Sequence, residues 1–366
     1  MAAGSGHKSV DVSGVREMSA VSLSCLNRRC VLWGGAAAAG TVLLSPGSAQ
    51  TPEPLNSRLS GNISPVHDPC AIREGDTYYV FGTNLGGGGG KQIPWRFSKD
   101  LVTWEKADYV LPALPRWATE AVEGTEGVWA PDVSYVGGRY LLYYACSTFG
   151  KNRSAIGLAT NTTLDPDAPG YAWQDEGLVF ASQPGDDFNA IDPNHVVDRE
   201  GKHWLAFGSF WGGLKMIQLD PSTGKPRPGD KQIFSLAKRP TDNPLEDAIE
   251  ASFIIERQGF YYLFCSFDFC CRGENSNYYT VVGRSRSVTG PYGDKNRYAM
   301  IDGNGTVVLP DDPGSRWRGP GGCSILKDGE RYYIVYHAYD ARRQGVPTLR
   351  IAPLVWSQDG WPTAII

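Results

Sequence analysis

Short polar turns followed by runs of apolar and aromatic residues recur along the chain. Each of five segments has a Gly-containing turn and then a β-type run, as in REGDTYYVFGT from Arg73 and KDGERYYIVYHA from Lys327. The turn glycines, spaced by 63, 63, 58 and 70 residues, are Gly75, Gly138, Gly201, Gly259 and Gly329. Aromatic and β-branched residues favour strands, and few segments carry helical periodicity. The pattern therefore predicts five similar antiparallel β units.

Each unit offers a first strand, a hairpin turn, a second strand and at least one further strand. Such a unit cannot bury its own apolar face and must pack against its neighbours. Five units of about four strands, arranged radially, make an all-β, five-bladed β-propeller. They take up residues 56–366 and leave no second domain. A two-sheet sandwich is the alternative, but it does not explain five copies at a near-constant period.

Residues 1–50 have the pattern of an export signal. Arg28 and Arg29 precede an apolar run from Val31 to Leu44 and a small-residue region, GSAQ. The apolar run is too short to span a bilayer. Paired arginines favour twin-arginine export, with an ordinary secretory signal as the alternative. We therefore expect a secreted protein, periplasmic or extracellular, whose translation starts at Met1 or at Met18.

Composition and charge narrow the classes of function. With 41% hydrophobic, 11% aromatic and 20% charged residues, the chain has the composition of a globular protein. A net charge of −4 without a basic patch argues against a nucleic-acid partner, and no membrane partner is expected once the signal is removed. The eight cysteines show no zinc-ligand spacing. The adjacent Cys270 and Cys271 either form a ring disulfide or stay reduced.

Acidic residues precede four of the five turns. In a propeller the first strand of each blade lines the central channel. Asp68, Asp132, Asp192 and Glu250 lie 7, 6, 9 and 9 residues before their turn glycines, so we expect them at equivalent places near the start of four inner strands. Converging carboxylates raise at least one pKa, which provides the acid and the base that glycoside hydrolysis requires. Taken singly, each Asp also fits an ion-binding or structural role.

Aromatic residues flank these acids. Trp129, Phe188 and Trp211 lie next to the acidic strand starts, where their faces could stack on sugar rings. Packing between blades is the alternative for each of them. The run Gly86–Gly90 lacks the flanking residues of a phosphate-binding loop and predicts a surface loop, and no nucleophile elbow occurs.

At this level of detail the sequence resembles family 43 of the glycoside hydrolases, and within it the arabinan endo-1,5-α-L-arabinosidases. The resemblance covers nearly all residues after 60. It rests on HDPCAIREGDTYYVFGT, GVWAPDVSYVGGRYLLYY, GDDFNAIDPNHVVDREGKHWLAFGSFWGG and IEASFIIERQGFYYLFCSFDFCCRG. It implies a five-bladed propeller that hydrolyses α-1,5-arabinofuranosidic linkages of arabinan, a pectin side chain, with inversion and without a cofactor in the chemistry. We also expect a monomer.

The resemblance implies roles for individual residues. Asp68 of HDP would be the general base, Glu250 of IEAS the general acid, and Asp192 of AIDP would orient Glu250 and tune its pKa. An inverting pair would stand about 6.5–9.5 Å apart to admit a water. Asp132 has no chemical role and is expected to be structural. Together with Asp68 and Trp129, the expected substrate contacts are Gly150, Asn189, Ala190, Ile191, Asp192, Ser209, Phe210 and Trp211.

Two positions depart from the motifs of the family. Ser252 of IEAS stands where the family usually has Pro, and Gly322 of GPGG replaces the usual His. In relatives that His helps to hold a metal ion in the channel, commonly calcium. The resemblance therefore leaves a structural calcium site in doubt, with His337 as a candidate ligand and a packed core position as its equal alternative.

Two other functions stay open from the sequence. An exo-acting arabinanase, or an arabinofuranosidase or β-xylosidase, would use the same scaffold with a loop such as Gly86–Gly90 blocking one end of the groove. A non-catalytic sugar-binding propeller is expected to have lost one of the three acids, whereas Asp68, Asp192 and Glu250 are all present.

Overall fold

Twenty-one strands form five sheets in the computed structural model, which describes residues 52–242 and 246–366. Each sheet is one blade, the blades follow the order of the chain, and their first strands meet around a central channel. The prediction of a five-bladed β-propeller is confirmed. The expected export signal lies outside the described residues. Nowhere in the described part of the chain is there a helix of the length and apolar character that crossing a bilayer requires.

The strands of each blade are consecutive in the chain. Blade 1 contains β1 Ser60–Gly61, β2 Cys70–Glu74, β3 Thr77–Phe81, β4 Gln92–Ser98 and β5 Thr103–Leu111. Blade 2 contains β6 Val128–Val136, β7 Arg139–Cys146, β8 Ser154–Asn161 and β9 Gln174–Ser182. Blade 3 contains β10 Asn194–Val197, β11 His203–Phe207, β12 Leu214–Leu219 and β13 Phe234–Ala237.

The last two blades have the same order. Blade 4 contains β14 Ile249–Arg257, β15 Phe260–Phe267, β16 Tyr279–Ser285 and β17 Thr306–Leu309. Blade 5 contains β18 Trp317–Asp328, β19 Arg331–Asp340, β20 Val346–Trp356 and β21 Pro362–Ala364. The described helices are short: α1 Arg116–Ala121 and the 3-10 turns Gly273–Asn275, Met300–Asp302 and Ala341–Arg343.

Tight two-residue hairpins join the first and second strands of four blades, at glycines that the sequence singled out. Their backbone is left-handed, with φ of 58° at Gly75 and 61° at Gly329. A two-residue turn with positive φ matches the twist of paired strands, which explains why glycine is used. Blade 3 has a longer connection, in which the Asp198 carboxylate accepts hydrogen bonds from the N–H groups of Glu200 and Lys202 at 3.0 and 2.8 Å.

The hydrophobic core is divided among the five interfaces between neighbouring blades. Between blades 2 and 3, for example, Leu141 and Ile156 pack with Leu205 and Phe207. Four further clusters fill the other interfaces in the same way. Because each blade buries its faces only against its neighbours, blades 1 and 5 are complete only when the ring closes between them.

Residues ahead of the first inner strand close this ring between blades 5 and 1. The Asn56 side-chain amide donates to Tyr336 Oη at 3.0 Å and accepts from the Ile351 N–H at 2.9 Å. The Leu349 N–H donates to the carbonyl oxygen of Ile63 at 2.8 Å. Strand β1 then pairs in parallel with β5. The segment from Asn56 to Ile63 thus joins the first and last blades by hydrogen bonds, and among the described residues no strand is exchanged between the two sheets.

One residue with a left-handed backbone stands at the start of every inner strand. These residues, with φ between 42° and 57°, are Asp68, Ala130, Asp192, Ala251 and Gly322. The registers of β6, β14 and β18 shift at these points, as at a β-bulge. When the inner strands are superposed in sequence at this left-handed residue, equivalent positions of the five blades can be compared. Asp68 and Asp192 are equivalent, but Glu250 lies one residue before the bulge and Asp132 two residues after it. The expectation of four equivalent acids is therefore wrong.

Asp132 instead belongs to a ring of contacts that tie each inner strand to the next. Its carboxylate accepts from the His195 N–H at 2.8 Å and from Asn194 Nδ2 at 3.0 Å. Burial raises the pKa of Asp132 to about 6, although these hydrogen bonds act to lower it. The side chains two residues beyond the bulge make the corresponding contact to the next blade in three other cases: Cys70 to Val133, Asn194 to Ile254 and Ser324 to Ala71. These contacts agree with the structural role expected for Asp132.

Candidate active site

The bulge end of the channel is surrounded by the loops that join the second and third strands of the blades. First and second strands are antiparallel, so that Cys70, just after the bulge of blade 1, pairs with Phe81, just before its loop. The five loops at this mouth cover residues 82–91, 147–153, 208–213, 268–278 and 341–345. The run Gly86–Gly90 therefore lies at the mouth, the place from which a loop could block one end of the groove in the exo-acting alternative.

Asp68 lines the central pocket and is held on several sides. Its Oδ2 accepts a hydrogen bond from Thr83 Oγ1 at 2.5 Å and lies 2.7 Å from His67 Nδ1. Its backbone N–H donates to His337 Nδ1 at 3.1 Å. Burial raises the pKa of Asp68, but the charge and hydrogen bond of His67, with His337 and Thr83, outweigh it and lower that pKa to about 2. Asp68 is therefore ionised at neutral pH, as a general base must be.

Glu250 is a buried carboxyl on β14 with two hydroxyl partners. Ser209 Oγ donates to its Oε2 at 2.6 Å, and Tyr278 Oη donates to its Oε1 at 2.5 Å. Burial raises the pKa of Glu250, the two hydrogen bonds lower it, and the negative charge of Asp68 raises it again. The net shift is upward, which favours the protonated form that a general acid needs.

Asp192 is the third acid of the cluster. Burial, followed by the charges of Glu250 and Asp68, raises its pKa well above that of an ordinary carboxyl. Its Oδ2 accepts from the Ala251 N–H at 3.0 Å, so it holds the backbone directly after Glu250. Repulsion between two carboxylates is reciprocal, so Asp192 and Glu250 together retain a proton at a pH where an isolated carboxyl has lost it.

The glycine-backed loop 208–213 seats Ser209 beside Glu250. The Phe210 N–H donates to the Ile249 carbonyl at 2.9 Å, which ties this loop to the start of β14. Phe210 and Trp211 both have left-handed backbones, with φ of 52° and 47°. Such φ values are uncommon for bulky residues and persist only where the surroundings impose them. Here the glycines on both sides allow the close approach that imposes them.

A methyl group at Gly212 is expected to lower the free energy of unfolding by about 1–3 kcal/mol, the usual cost of overpacking. A Cβ there would lie 2.1 Å from the Asp187 carbonyl oxygen, a backbone atom that cannot rotate away. Denaturant unfolding of Gly212→Ala measures the change. Gly293→Ala is the matched control, since the nearest atom to its new Cβ would be 3.5 Å away. Equal stability of the two variants contradicts the steric argument.

Some of the expected substrate contacts reach the mouth, and others lie behind it. Gly150 is exposed, in the rim loop that follows β7, and Trp129, Phe210 and Trp211 are partly exposed. Ser209 also comes to the site, but its hydroxyl is bonded to Glu250. These five residues lie at the end of the channel where Asp68 and Asp192 begin the inner strands, and Ser209 is the one with a hydrogen bond to an acid.

Residues 188–191 lie in the wall behind Asp192. Ala190 is fully buried between blades 2 and 3, so its side chain is not open to a substrate in this structure. Phe188 is buried in the same cluster and stacks on Phe180, with 5.8 Å between the ring centroids. Ile191 is buried as well. Asn189 is buried as well, and its Oδ1 accepts from Ser154 Oγ at 2.6 Å. Packing between the two blades uses these side chains to seat the bulge at Asp192.

The residues around Asp68 do not fit a calcium ion. His67, Asp68 and His337 have potential ligand atoms within 4.8 Å of one another. Calcium takes about six to eight oxygen ligands, whereas this set has one carboxylate, already bonded to His67 and Thr83. A Cβ at Gly322 would lie 2.6 Å from Asp68 Oδ1 and 2.7 Å from His337 Cε1, so His337 fills the space that a side chain at 322 would need. No chemical step below passes through a metal.

Sequence reasoning missed the residues that hold the acids. Thr83 follows β3, Tyr278 precedes β16 and Tyr339 lies in β19, far along the chain from the carboxyls with which they interact. Tyr278 is almost fully buried although it lies in a loop at the channel mouth. Nothing in the sequence indicates that this loop tyrosine is buried beside an acid.

A ring of five blades with an ionised and a proton-holding carboxyl at one channel mouth defines a glycoside hydrolase of the propeller class. The chain belongs to glycosyl hydrolases family 43, whose family model matches residues 63–362. The prediction of the family from the sequence is thereby confirmed.

Three relatives show where in the family the similarity lies. The extracellular endo-α-(1→5)-L-arabinanase 1 of Bacillus subtilis is 42% identical over 300 residues, which are 81% of this chain and 87% of that protein. The extracellular exo-α-(1→5)-L-arabinofuranosidase ArbA of Cellvibrio japonicus is 41% identical over 305 residues, 81% of this chain and 85% of that protein. A solved Cellvibrio cellulosa α-L-arabinanase complexed with arabinohexaose has a TM-score of 0.77 at 40% identity, covering 83% of this chain and 96% of that one.

Proposed function

We propose that the chain is an endo-acting arabinanase that hydrolyses α-1,5-L-arabinofuranosidic linkages in arabinan with inversion. The observation that carries the proposal is the opposite shift of two carboxyl groups in one cluster: the pKa of Asp68 is lowered to about 2, and the pKa of Glu250 is raised. The named activities of the arabinanase relatives supply the substrate class. Arabinan side chains of pectin are the proposed natural substrate.

In this mechanism Asp68 takes a proton from a water that attacks the anomeric carbon. Glu250 gives its proton to the departing glycosidic oxygen on the other face of the sugar. Asp192 keeps Glu250 protonated and fixes the adjacent Ala251 amide. The partly exposed faces of Trp129 and Trp211 are the proposed sugar platforms. The two partners of Glu250, Ser209 and Tyr278, hold its carboxyl in place for the transfer.

We further propose that residues 1–50 direct export and that residues 56–366 form the catalytic domain, active as a monomer. The extracellular relatives support export, and the signal-like pattern around Arg28 and Arg29 is its basis in the sequence. N-terminal sequencing of the secreted product tests it, with cleavage near Ala49 as the expected result. Recovery of the protein only inside the cell, with its full N-terminus, contradicts it.

The exo-acting alternative is kept because a relative of almost equal similarity is named an exo-enzyme. Early products from linear arabinan distinguish the two modes: a mixture of oligomers is expected for endo action, and one small product from the start indicates exo action. Proton NMR of the first product is expected to show the inverted anomer. Turnover of an aryl β-xyloside but not of arabinan contradicts the proposed substrate.

Replacing Tyr278 with phenylalanine is expected to move the basic limb of the kcat/KM profile to higher pH. The Tyr278 hydroxyl lowers the pKa of Glu250 by stabilising its ionised form, so the variant keeps its acid protonated to higher pH. The basic limb reports this group in the free enzyme. Tyr292→Phe is the matched control, because Tyr292 is equally buried and donates to the Val288 carbonyl at 2.7 Å, with none of the three acids as its partner. A basic limb that is the same in both variants contradicts the assignment of Glu250.

A further inference from the structure

A line of hydrogen bonds runs from a pair of adjacent cysteines in blade 4 to the carboxylate of Asp68 in blade 1. The Cys271 N–H donates to Tyr339 Oη at 2.8 Å. Tyr339 Oη lies 2.7 Å from His67 Nε2, and His67 Nδ1 lies 2.7 Å from Asp68 Oδ2. An ionised carboxylate can only accept, so His67 Nδ1 is the donor to Asp68. Tyr339 Oη, which accepts from the amide, shares a second hydrogen bond with His67 Nε2.

The middle of this line is closely packed. His67 and Tyr339 are both buried, at 8% and 3% exposure, so water does not compete for their polar atoms. The His67 ring stacks on His337 with 3.8 Å between centroids, and His337 is itself fixed by the N–H of Asp68. Both ring nitrogens of His67 are bonded, and its face is covered. The ring therefore has one orientation, and that orientation aims Nδ1 at Asp68.

The far end of the line is held by a covalent bond. The sequence left the redox state of Cys270 and Cys271 open, and the structure joins them in a disulfide between neighbouring residues. Cys271 has a left-handed backbone, with φ of 64°, and the next amide, that of Arg272, donates to Ser276 Oγ at 3.0 Å. A disulfide between neighbours removes most rotational freedom of the peptide between them. The Cys271 amide, which donates to Tyr339, therefore has little freedom to turn away from it.

The other acids near the Asp68 carboxylate disfavour its ionised form. The negative charge of Asp68 raises the pKa of Glu250, of Asp192 and of the buried Tyr278, and the repulsion between these carboxyl groups is mutual. His337 accepts the Asp68 N–H with Nδ1, and burial lowers its pKa well below that of an ordinary histidine, so it stays neutral. His337 and Thr83 also favour the ionised form of Asp68, but His67 lowers its pKa the most.

We propose that His67, Tyr339 and the Cys270–Cys271 turn are positioning residues, which hold Asp68 in the one orientation from which it deprotonates the attacking water. The inference rests on the proposed function, because these residues act only through the proposed base. None of them touches the reacting atoms. A loss of the line turns the carboxylate away from its partner and leaves it buried beside two other acids, which disfavours its ionised form.

The test compares the pH dependence of kcat/KM on linear arabinan for four variants. His67→Phe removes both hydrogen bonds and is expected to shift the acidic limb up by about one pH unit or more, since a hydrogen bond to a charged group is lost. Tyr339→Phe keeps the ring and the His67–Asp68 contact, and a smaller shift in the same direction is expected, with kcat lower and KM unchanged. The double variant Cys270→Ser/Cys271→Ser is expected to resemble Tyr339→Phe.

Tyr336→Phe is the matched control on the same strand. Its hydroxyl is also buried and accepts from Asn56 at 3.0 Å, so its loss costs comparable stability. Its acidic limb is expected to coincide with that of the unmodified protein. The proposal is overturned if Tyr339→Phe and His67→Phe also keep that limb, and Tyr339→Phe alone decides if His67→Phe fails to fold. If the double cysteine variant keeps the acidic limb of the unmodified protein, the disulfide has no part in positioning Asp68.

A separate variant tells failure of this inference from failure of the proposed function. Asp68→Asn is expected to abolish most turnover. If it stays active, Asp68 is not the base and the proposed mechanism fails. If it is inactive while Tyr339→Phe and His67→Phe keep the acidic limb of the unmodified protein, the mechanism stands and the positioning line is refuted.

Discussion

Replacing Glu250 with glutamine is expected to lower kcat on arabinan by about 100- to 10,000-fold, the usual contribution of a general acid. The departing sugar oxygen is a poor leaving group unless it receives a proton as the bond breaks. Glutamine has the shape of the acid and can accept from one of the hydroxyls of Ser209 and Tyr278 while donating to the oxygen of the other, but it has no acidic proton to give. The loss is therefore expected in kcat, with KM little changed.

The dependence of activity on the leaving group tests the assignment of Glu250 as general acid more specifically than loss of activity does. An aryl arabinooligosaccharide with an acidic phenol leaves without protonation, so Glu250→Gln is expected to retain most of its activity on that substrate. Glu256→Gln is the control: Glu256 lies on the same strand, is exposed and accepts from the Gly259 N–H at 2.7 Å. If Glu250→Gln is impaired equally on arabinan and on the aryl substrate, Glu250 is not the acid.

The architecture could be predicted because its signals are local. A glycine at each inner hairpin, such as Gly75 or Gly329, followed by an aromatic β run, depends on turn geometry and strand propensity within about ten residues. The repetition of that pattern then fixed the number of blades. The closure of the ring could not be predicted, because it depends on side chains such as Asn56 that meet partners almost a whole chain length away.

The acids were found from motifs, but their relative placement was not. Counting from the turn glycine treats all inner strands as equally long, whereas the register shift beside the left-handed residue moves Glu250 and Asp132 off the position of Asp68. The bulge has no residue signature of its own, since Asp, Ala and Gly all occupy it. The partners that set the pKa values, Thr83 and Tyr278 among them, come from other strands and were invisible for the same reason.

Asp68→Asn is expected to lower kcat/KM by about 100- to 10,000-fold on arabinan and by a similar factor on the aryl substrate. The water must lose its proton whatever the leaving group, and an amide cannot accept it. This pattern is the opposite of that for Glu250→Gln, so the two variants together assign base and acid. Asp76→Asn is the control, an exposed Asp of the same blade bonded to Lys99. Retained arabinan hydrolysis by Asp68→Asn contradicts the assignment.

The pH profile of the residual activity of Asp68→Asn tests independently whether Asp68 and Glu250 interact. The negative charge of Asp68 raises the pKa of Glu250, so its removal lowers that pKa. Glu250 then loses its proton at lower pH, and the basic limb of the remaining kcat/KM profile is expected to move down. In Asp76→Asn it is expected to stay in place, because Asp76 lies in the hairpin at the opposite end of the blade. A basic limb unmoved in Asp68→Asn means that the two carboxyls do not interact, and a shared site for base and acid is then ruled out.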